Sequence, residues 1–205
     1  MSAFSFHETK NLTSGGEGGV LVVNNPDLVN KAVVARDKGT NRANFLDGKV
    51  DKYSWVSQGS SYLMNEISAA WLWAQLQQLD LITDRRRSLN NNYRKMLENL
   101  VDDGNFEIQS RPDHATPNGH IFYLKTRTAD ERIRLLNKLA ERGIHATFHY
   151  VPLHSSPAGL RFGRFSGTDS CTSSGAERLI RLPLFHNMSD AQQSMVIDAV
   201  NCACS

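Results

Sequence analysis

A lysine that follows a short apolar run and precedes a glycine-rich turn is placed for carbonyl chemistry. The run is Ser5-Phe6-His7-Glu8-Thr9-Lys10-Asn11, and the turn is Ser14-Gly15-Gly16-Glu17-Gly18-Gly19. A free lysine amine has a pKa of about 10.4 and is protonated at neutral pH. Burial or a neighbouring cation lowers that value and leaves a nucleophile. Nearby hydroxyls and backbone N–H groups suit a phosphate, and glycines let the backbone come close to one. An aldehyde cofactor carrying a phosphate is therefore one reading of Lys10 and Ser5. The other is a lysine on a surface loop and a serine at a strand edge, and residue types alone leave both open. The turn lacks the Lys-Ser/Thr ending of a P-loop, which argues against a nucleoside triphosphate.

The elements that would position these residues can be read along the chain. Ala3 to Phe6 and Gly19 to Val23 read as short buried strands flanking the polar loop. Asn25-Pro26 opens a helix, with a capping residue followed by proline at the first helical position. Gly39 closes it, with Arg36 and Lys38 in the last turn, where the helix dipole favours cations. Thr40 to Ser61 is polar, with Phe45, Tyr53 and Trp55 scattered through it, and is long for a loop inside a compact domain. A helix pattern runs from about Asn65 to about Leu100, with a break available around Asp80 to Asp84. Beyond it come a strand at His120 to Lys125, a helix through Glu131 to Leu139 ended by Gly143, and a strand at Ile144 to Tyr150. A short helix at Glu177 to Leu182 is stopped by Pro183. Ser189 caps a last helix, with Gln192 completing a capping box. The second half reads as a small α+β domain.

Composition narrows the function classes. The 205 residues are 40% hydrophobic, enough for a real core, and the formal net charge is +2. The basic residues are spread rather than striped, so no nucleic-acid partner is expected. The one dense run, Arg85-Arg86-Arg87, reads as a solvated helix face. No stretch approaches the length of a membrane span. Three cysteines, Cys171, Cys202 and Cys204, match neither a disulfide scaffold nor a zinc knuckle. They read as free thiols in a reducing cytoplasm, and no metal site is expected.

Four segments in a fixed order carry a family resemblance. The first is S-F-H-E-T-K-N followed by G-G-E-G-G. Then come Lys38-Gly39-Thr40-Asn41-Arg42, and Gly59-Ser60-Ser61-Tyr62-Leu63-Met64 with the helix holding Ala69-Ala70 and Ala74-Gln75-Leu76. The last is Phe148-His149-Tyr150-Val151-Pro152-Leu153-His154 with Ser156-Pro157-Ala158-Gly159. Across essentially all 205 residues the chain resembles the DegT/StrS family of pyridoxal-phosphate (PLP) sugar aminotransferases. The resemblance implies that Lys10 binds the cofactor aldehyde covalently. Once an amino donor displaces it, the amine would move a proton between the substrate carbon and the cofactor's C4′. It also implies that Ser5 contacts the cofactor phosphate. Ser61 stands where many members have an asparagine that reaches the phosphate in the neighbouring subunit. Leu63 replaces a common arginine. Arg42 is a candidate for the diphosphate of a sugar nucleotide, because its planar fork suits phosphate. A surface loop arginine is the other reading. Tyr150 and His154 lie in a segment that approaches substrate in relatives, and His154 reads equally as a packed loop histidine. His7 and His149 read as structural.

The same resemblance sets the expected fold class. The fold expected is α/β: the end of a type I PLP-dependent transferase large domain (1–64), a connecting long helix (65–100) and a small α+β carboxyl-terminal domain (101–205). In the family, the acid that pairs with the pyridine nitrogen and the aromatic that stacks on the ring lie amino-terminal to the lysine. Only nine residues precede Lys10 here, so a carboxyl-terminal fragment is expected, with strand edges left bare. The complete enzyme would be a homodimer acting on a dTDP-4-keto-6-deoxyhexose, with glutamate as amino donor. Retention of Lys10 argues against the dehydratase branch, where a histidine replaces it. The alternative is an inactive remnant or one half of a split enzyme.

Overall fold

The computed structural model describes residues 1–204. The chain divides into two compact units, the first spanning Met1–Leu79 and the second beginning at Asp80.

In the first unit, β1 (Ser2–Ser5) and β2 (Gly19–Val22) form an antiparallel ribbon in which Ser2 faces Val22 and Ser5 faces Gly19. Both strands are exposed along their whole length, which corrects the expectation of buried strands. Two four-residue strands bury side chains only when a further layer packs on them, and Phe4 and Leu21 are each more than half exposed. Helix α1 (Pro26–Arg36) starts as its sequence requires: Asn25 Oδ1 accepts the Asp27 N–H at 2.9 Å, with Pro26 in the first turn. It ends in two left-handed residues, Lys38 at φ 61° and Gly39 at φ 74°. A Cβ on Gly39 would overlap the Ser57 carbonyl, so glycine is required on two counts. The long loop after it holds one short helix, α2 (Arg42–Leu46), and is pinned by isolated bridges joining Asp37 to Ser61 and Thr40 to Trp55.

The helix pattern from 65 to 100 is three helices. They are α3 (Glu66–Leu76), α4 (Leu79–Met96) and α5 (Glu98–Asp102). The break falls at Gln77-Gln78, upstream of the expected place, and α4 runs on into the second unit. Asn65 caps α3 through the Ser68 N–H at 2.9 Å. Of this apolar helix only Leu72 is buried, while Ile67, Trp71 and Trp73 are exposed.

The second unit has a four-stranded antiparallel sheet in the order β3-β4-β6-β5. Its strands are β3 (Phe106–Ile108), β4 (Phe122–Thr126), β5 (Thr147–Phe148) and β6 (Leu179–Leu182). Its remaining helices are α6 (Ala129–Glu141), α7 (Pro157–Phe162), α8 (Thr172–Arg178) and α9 (Asp190–Cys204). The helix expected at 177–182 is instead the end of α8 followed by β6. Leu179-Ile180-Arg181-Leu182 alternates, with Ile180 and Leu182 buried, and pairing to β4 and β5 selects the strand. The expected strand 144–150 is regular only at Thr147-Phe148.

Alternation in β4 puts Phe122, Leu124 and Thr126 inside. Phe122 and Leu124 meet Leu89, Tyr93 and Leu97 from the α4 region, Leu135 and Leu139 of α6, and Val196 and Val200 of α9. Tyr93 stacks on Phe122 at 5.1 Å. Each such apolar side chain contributes roughly 1.5–3 kcal/mol on burial. The capping boxes are formed: Thr128 with Glu131 on α6, and Ser189 with Gln192 on α9.

The arginine run is not a solvated face. Arg86 is buried and donates to the carbonyls of Gly119 (3.1 Å), His120 (2.6 Å) and Leu184 (3.2 Å). Arg85 reaches the Met188 carbonyl and Asp190, and Arg87 the Pro117 carbonyl. These arginines satisfy carbonyls of loops far away in sequence, a role that a charge run does not reveal. Among the described residues no helix is long and apolar enough to cross a membrane.

Candidate active site

Lys10 sits on a loop that the end of β1 and the start of β2 close like a drawstring. The Phe6 N–H donates to the Gly18 carbonyl at 2.8 Å, and the Ser14 N–H donates back to the Phe6 carbonyl at 2.8 Å. Ser14 is buried, its Oγ 3.0 Å from the Phe6 carbonyl and 2.9 Å from that of Glu17. A Cβ on Gly18 would overlap Ser14 Oγ, so the turn tolerates no side chain there. The far side of the loop is anchored to α3: the Thr13 N–H donates to Gln75 Oε1 at 3.0 Å, and Gly15 lies against the Trp71 ring.

Within this frame His7 links the two residues of interest. Its N–H donates to Ser5 Oγ at 3.4 Å, and its carbonyl accepts the Lys10 N–H at 2.9 Å. The Thr9 N–H donates to His7 Nδ1 at 3.2 Å, which makes Nδ1 an acceptor and places the hydrogen of the neutral ring on Nε2. The Lys10 side chain is exposed, and its nitrogen has no partner among the described residues. Ser5 Oγ accepts one long bond and keeps its O–H to donate. An unpaired amine, a free hydroxyl and a glycine-rich turn suit an aldehyde cofactor with a phosphate, and PLP fits them.

Arg42 and Ser61 are brought together by a residue that sequence reasoning passed over. Asp37 is buried at the end of α1; its backbone bridges to Ser61, and its carboxylate lies 3.8 Å from the Arg42 guanidinium and 3.6 Å from Lys38. Arg42 opens α2 and is about half exposed, so its outer face remains available. Asp37 carries no motif, and only its partners mark it.

Tyr150 and His154 belong to the second unit. Tyr150 is exposed, its ring 5.2 Å from that of His149. Partial desolvation, then the nearby Arg181, lowers the His149 pKa, which favours the neutral ring. Both rings line a cleft of about 400 Å³ shared with Arg132, Ser155, Ser173 and Glu177. His154 lies in the 3-10 turn Leu153–Ser155, 2.8 Å from Asp169 and packed at a tilt against Phe165, with ring centroids 4.4 Å apart. It is packed and hydrogen-bonded. Asp169 is a second residue with no sequence signal. Among the described residues no cluster of metal-binding side chains occurs.

With this geometry in hand, comparison with known proteins decides the family. A model of the DegT/DnrJ/EryC1/StrS aminotransferase family matches residues 1–201. The chain belongs to that family. The dTDP-3-amino-3,4,6-trideoxy-alpha-D-glucose transaminase of Streptomyces venezuelae is 31% identical over 201 residues, covering 98% of this chain and 49% of that protein. The aminotransferase TlmJ from Streptoalloteichus hindustanus has the same fold, with a TM-score of 0.84 at 24% identity over 98% of this chain and 51% of TlmJ. Spr1654 from Streptococcus pneumoniae, solved in a PLP form, aligns with a TM-score of 0.79 at 20% identity over 98% of this chain and 50% of its own. The chain spans about half the length of the curated relatives it matches. Its fold is that of about half of a type I PLP-dependent sugar aminotransferase, as the family resemblance implied.

Proposed function

We propose that this chain is the carboxyl-terminal half of a PLP-dependent aminotransferase that moves an amino group from glutamate to the 4-keto carbon of a dTDP-linked 6-deoxyhexose. The product by this reading is dTDP-4-amino-4,6-dideoxygalactose, a precursor suited to enterobacterial common antigen. The observation that carries it is Lys10, an unpaired amine on a tightly closed loop in a chain matched to the family from residue 1 to 201. Bound at this loop, PLP would supply an aldehyde for the lysine and an electron sink for the substrate carbon. The Lys10 amine would hold and move the proton between that carbon and C4′. Ser5 would donate its O–H to the phosphate. Ser61, exposed beside Asp37, would reach toward the phosphate of a second subunit in a homodimer. Arg42 would take the diphosphate of the nucleotide, oriented from behind by Asp37. Tyr150 and His154 would meet the sugar. Free thiols at Cys171 and Cys202 suit a reducing cytoplasm.

A specific observation favours a second reading, a chain inactive on its own. Phe4 and Leu21 on the two strands that close the Lys10 loop, and Ile67, Trp71 and Trp73 on the helix that anchors it, are exposed, so this unit leaves apolar side chains uncovered. One experiment separates the two readings. The chain is incubated with PLP, reduced with borohydride and digested, alone and together with the amino-terminal half of a relative. Modification concentrated at Lys10, and much increased by the second half, supports the aminotransferase reading. Modification spread over surface lysines in both mixtures would overturn it.

A further inference from the structure

Asp169 uses both of its oxygens. Oδ1 accepts the N–H groups of Thr172 (3.0 Å) and Ser173 (3.3 Å). Oδ2 accepts the Ser173 hydroxyl at 2.5 Å and lies 2.8 Å from His154 Nε2. The hydrogen bond from Ser173, followed by smaller contributions from the His154 ring and the Thr172 N–H, outweighs the opposing effect of desolvation and holds the carboxyl at a pKa of about 2. An ionised carboxylate only accepts hydrogen bonds, so the imidazole nitrogen facing it must carry a hydrogen. Phe165 packs against the imidazole, with ring centroids 4.4 Å apart and the planes tilted by 40°. His154 Nδ1 has no partner among the described residues.

We infer that Asp169 is a positioning residue that fixes His154 as the Nε2–H tautomer, so that Nδ1 is presented as a hydrogen-bond acceptor for a hydroxyl of the sugar. This rests on the reading of His154 as a substrate contact. Three features act together: a carboxylate that cannot donate, a phenyl ring packed at a tilt against the imidazole, and a second nitrogen left open. Asp169 thereby sets which hydrogen-bonding partner the 3-10 turn can recognise without touching it.

The test reads the ring proton directly. Long-range proton–nitrogen correlation spectra of the 205-residue chain, without ligand and at a pH where the ring is neutral, distinguish the two tautomers. The wild-type chain should show the Nε2–H form alone. Asp169→Asn is isosteric, and asparagine caps a helix as well as aspartate does. With Oδ1 still held by Thr172 and Ser173, its amide nitrogen replaces Oδ2 and donates toward Nε2. The ring hydrogen should therefore move to Nδ1. A purely structural cap would leave that proton where it was. Ser173→Ala should keep the Nε2–H form. A wild-type ring that is Nδ1–H or a mixture would overturn the inference, and so would an Asp169→Asn chain that stays Nε2–H. The wild-type spectrum decides even if the variant fails to fold. The substrate reading is tested separately, by His154→Phe in the enzyme completed with its amino-terminal half. A KM for the sugar nucleotide that does not rise would overturn the acceptor role, whatever the tautomer.

Discussion

Replacing Arg86 with methionine should cost the second unit about 3 kcal/mol of stability. Methionine keeps much of the aliphatic stem and removes every donor. Three backbone carbonyls, Gly119, His120 and Leu184, then lose their partner. A buried carbonyl left unsatisfied costs about 1–3 kcal/mol. The low end applies, because carbonyls with two lone pairs in loops regain some water. Removing a buried cation also relieves a desolvation cost, the same cost that lowers the Arg86 pKa. That relief is modest for a weakly hydrated guanidinium. Three losses of about 1 kcal/mol therefore dominate. With a urea m-value of about 1.5 kcal/mol per molar, the midpoint should fall by about 2 M. The assay is urea unfolding followed by the NMR signals of Leu124 and Ile180, both in the core of this unit. Arg87→Met is the control: its guanidinium is about one-third exposed and bonds only one carbonyl, so its loss should stay within about 1 kcal/mol. An Arg86→Met midpoint within about 0.3 M of wild type would show that loop carbonyls do not depend on this cation, and would refute the reasoning.

Four further outcomes are expected. Tyr93→Phe removes the bond from the buried hydroxyl to the Pro183 carbonyl (2.8 Å) and should lower stability by about 1 kcal/mol in the same unfolding assay. Asp169 has a depressed pKa, so its contribution is fully present above about pH 4 and is lost as pH falls toward about 2; Asp169→Asn should flatten that part of the acid-unfolding curve. In the completed enzyme, Arg42→Ala should weaken sugar-nucleotide binding by roughly 1.5–3 kcal/mol in calorimetry, with cofactor absorbance unchanged. The purified chain should sediment as dimers or larger species, because Phe4, Leu21 and Trp71 are exposed together with an open ribbon edge; a compact monomer at high concentration would contradict this.

What was legible in the sequence was local. Asn25-Pro26 and Ser189 with Gln192 announce helix starts because a cap is satisfied within three residues. The Lys10 loop was legible as a glycine-rich turn between two strands, while its reading as a cofactor site came from the family resemblance. The strand at Leu179–Leu182 was not. Its alternation is only four residues long, and its identity is decided by β4 and β5, far away in the chain. Arg86 was misread because a charge run on a helix says nothing about which loops will need donors. Asp37 and Asp169 were missed because neither stands in a motif. Each acquires meaning only when folding brings a cation or an imidazole to it.

The strand order β3-β4-β6-β5 bears on how this chain comes into being. The inner pair joins Phe122 to Leu182 across about 60 residues of chain. Strand β5 has no neighbour other than β6, and β4 has only β3 until β6 arrives. Closing so long a loop must precede the contacts that reward it, which slows folding of β topologies. During synthesis from the amino terminus, Phe122 to Thr126 would therefore wait with one edge open while α6, β5, α7 and α8 are made. Helix α6, capped locally by Thr128 and Glu131, can form early and shelter the apolar face of β4. The rate at which residues 179–182 dock, rather than the formation of any helix, should set the folding time of the second unit, and a chain cut before Ile180 should fail to build the sheet.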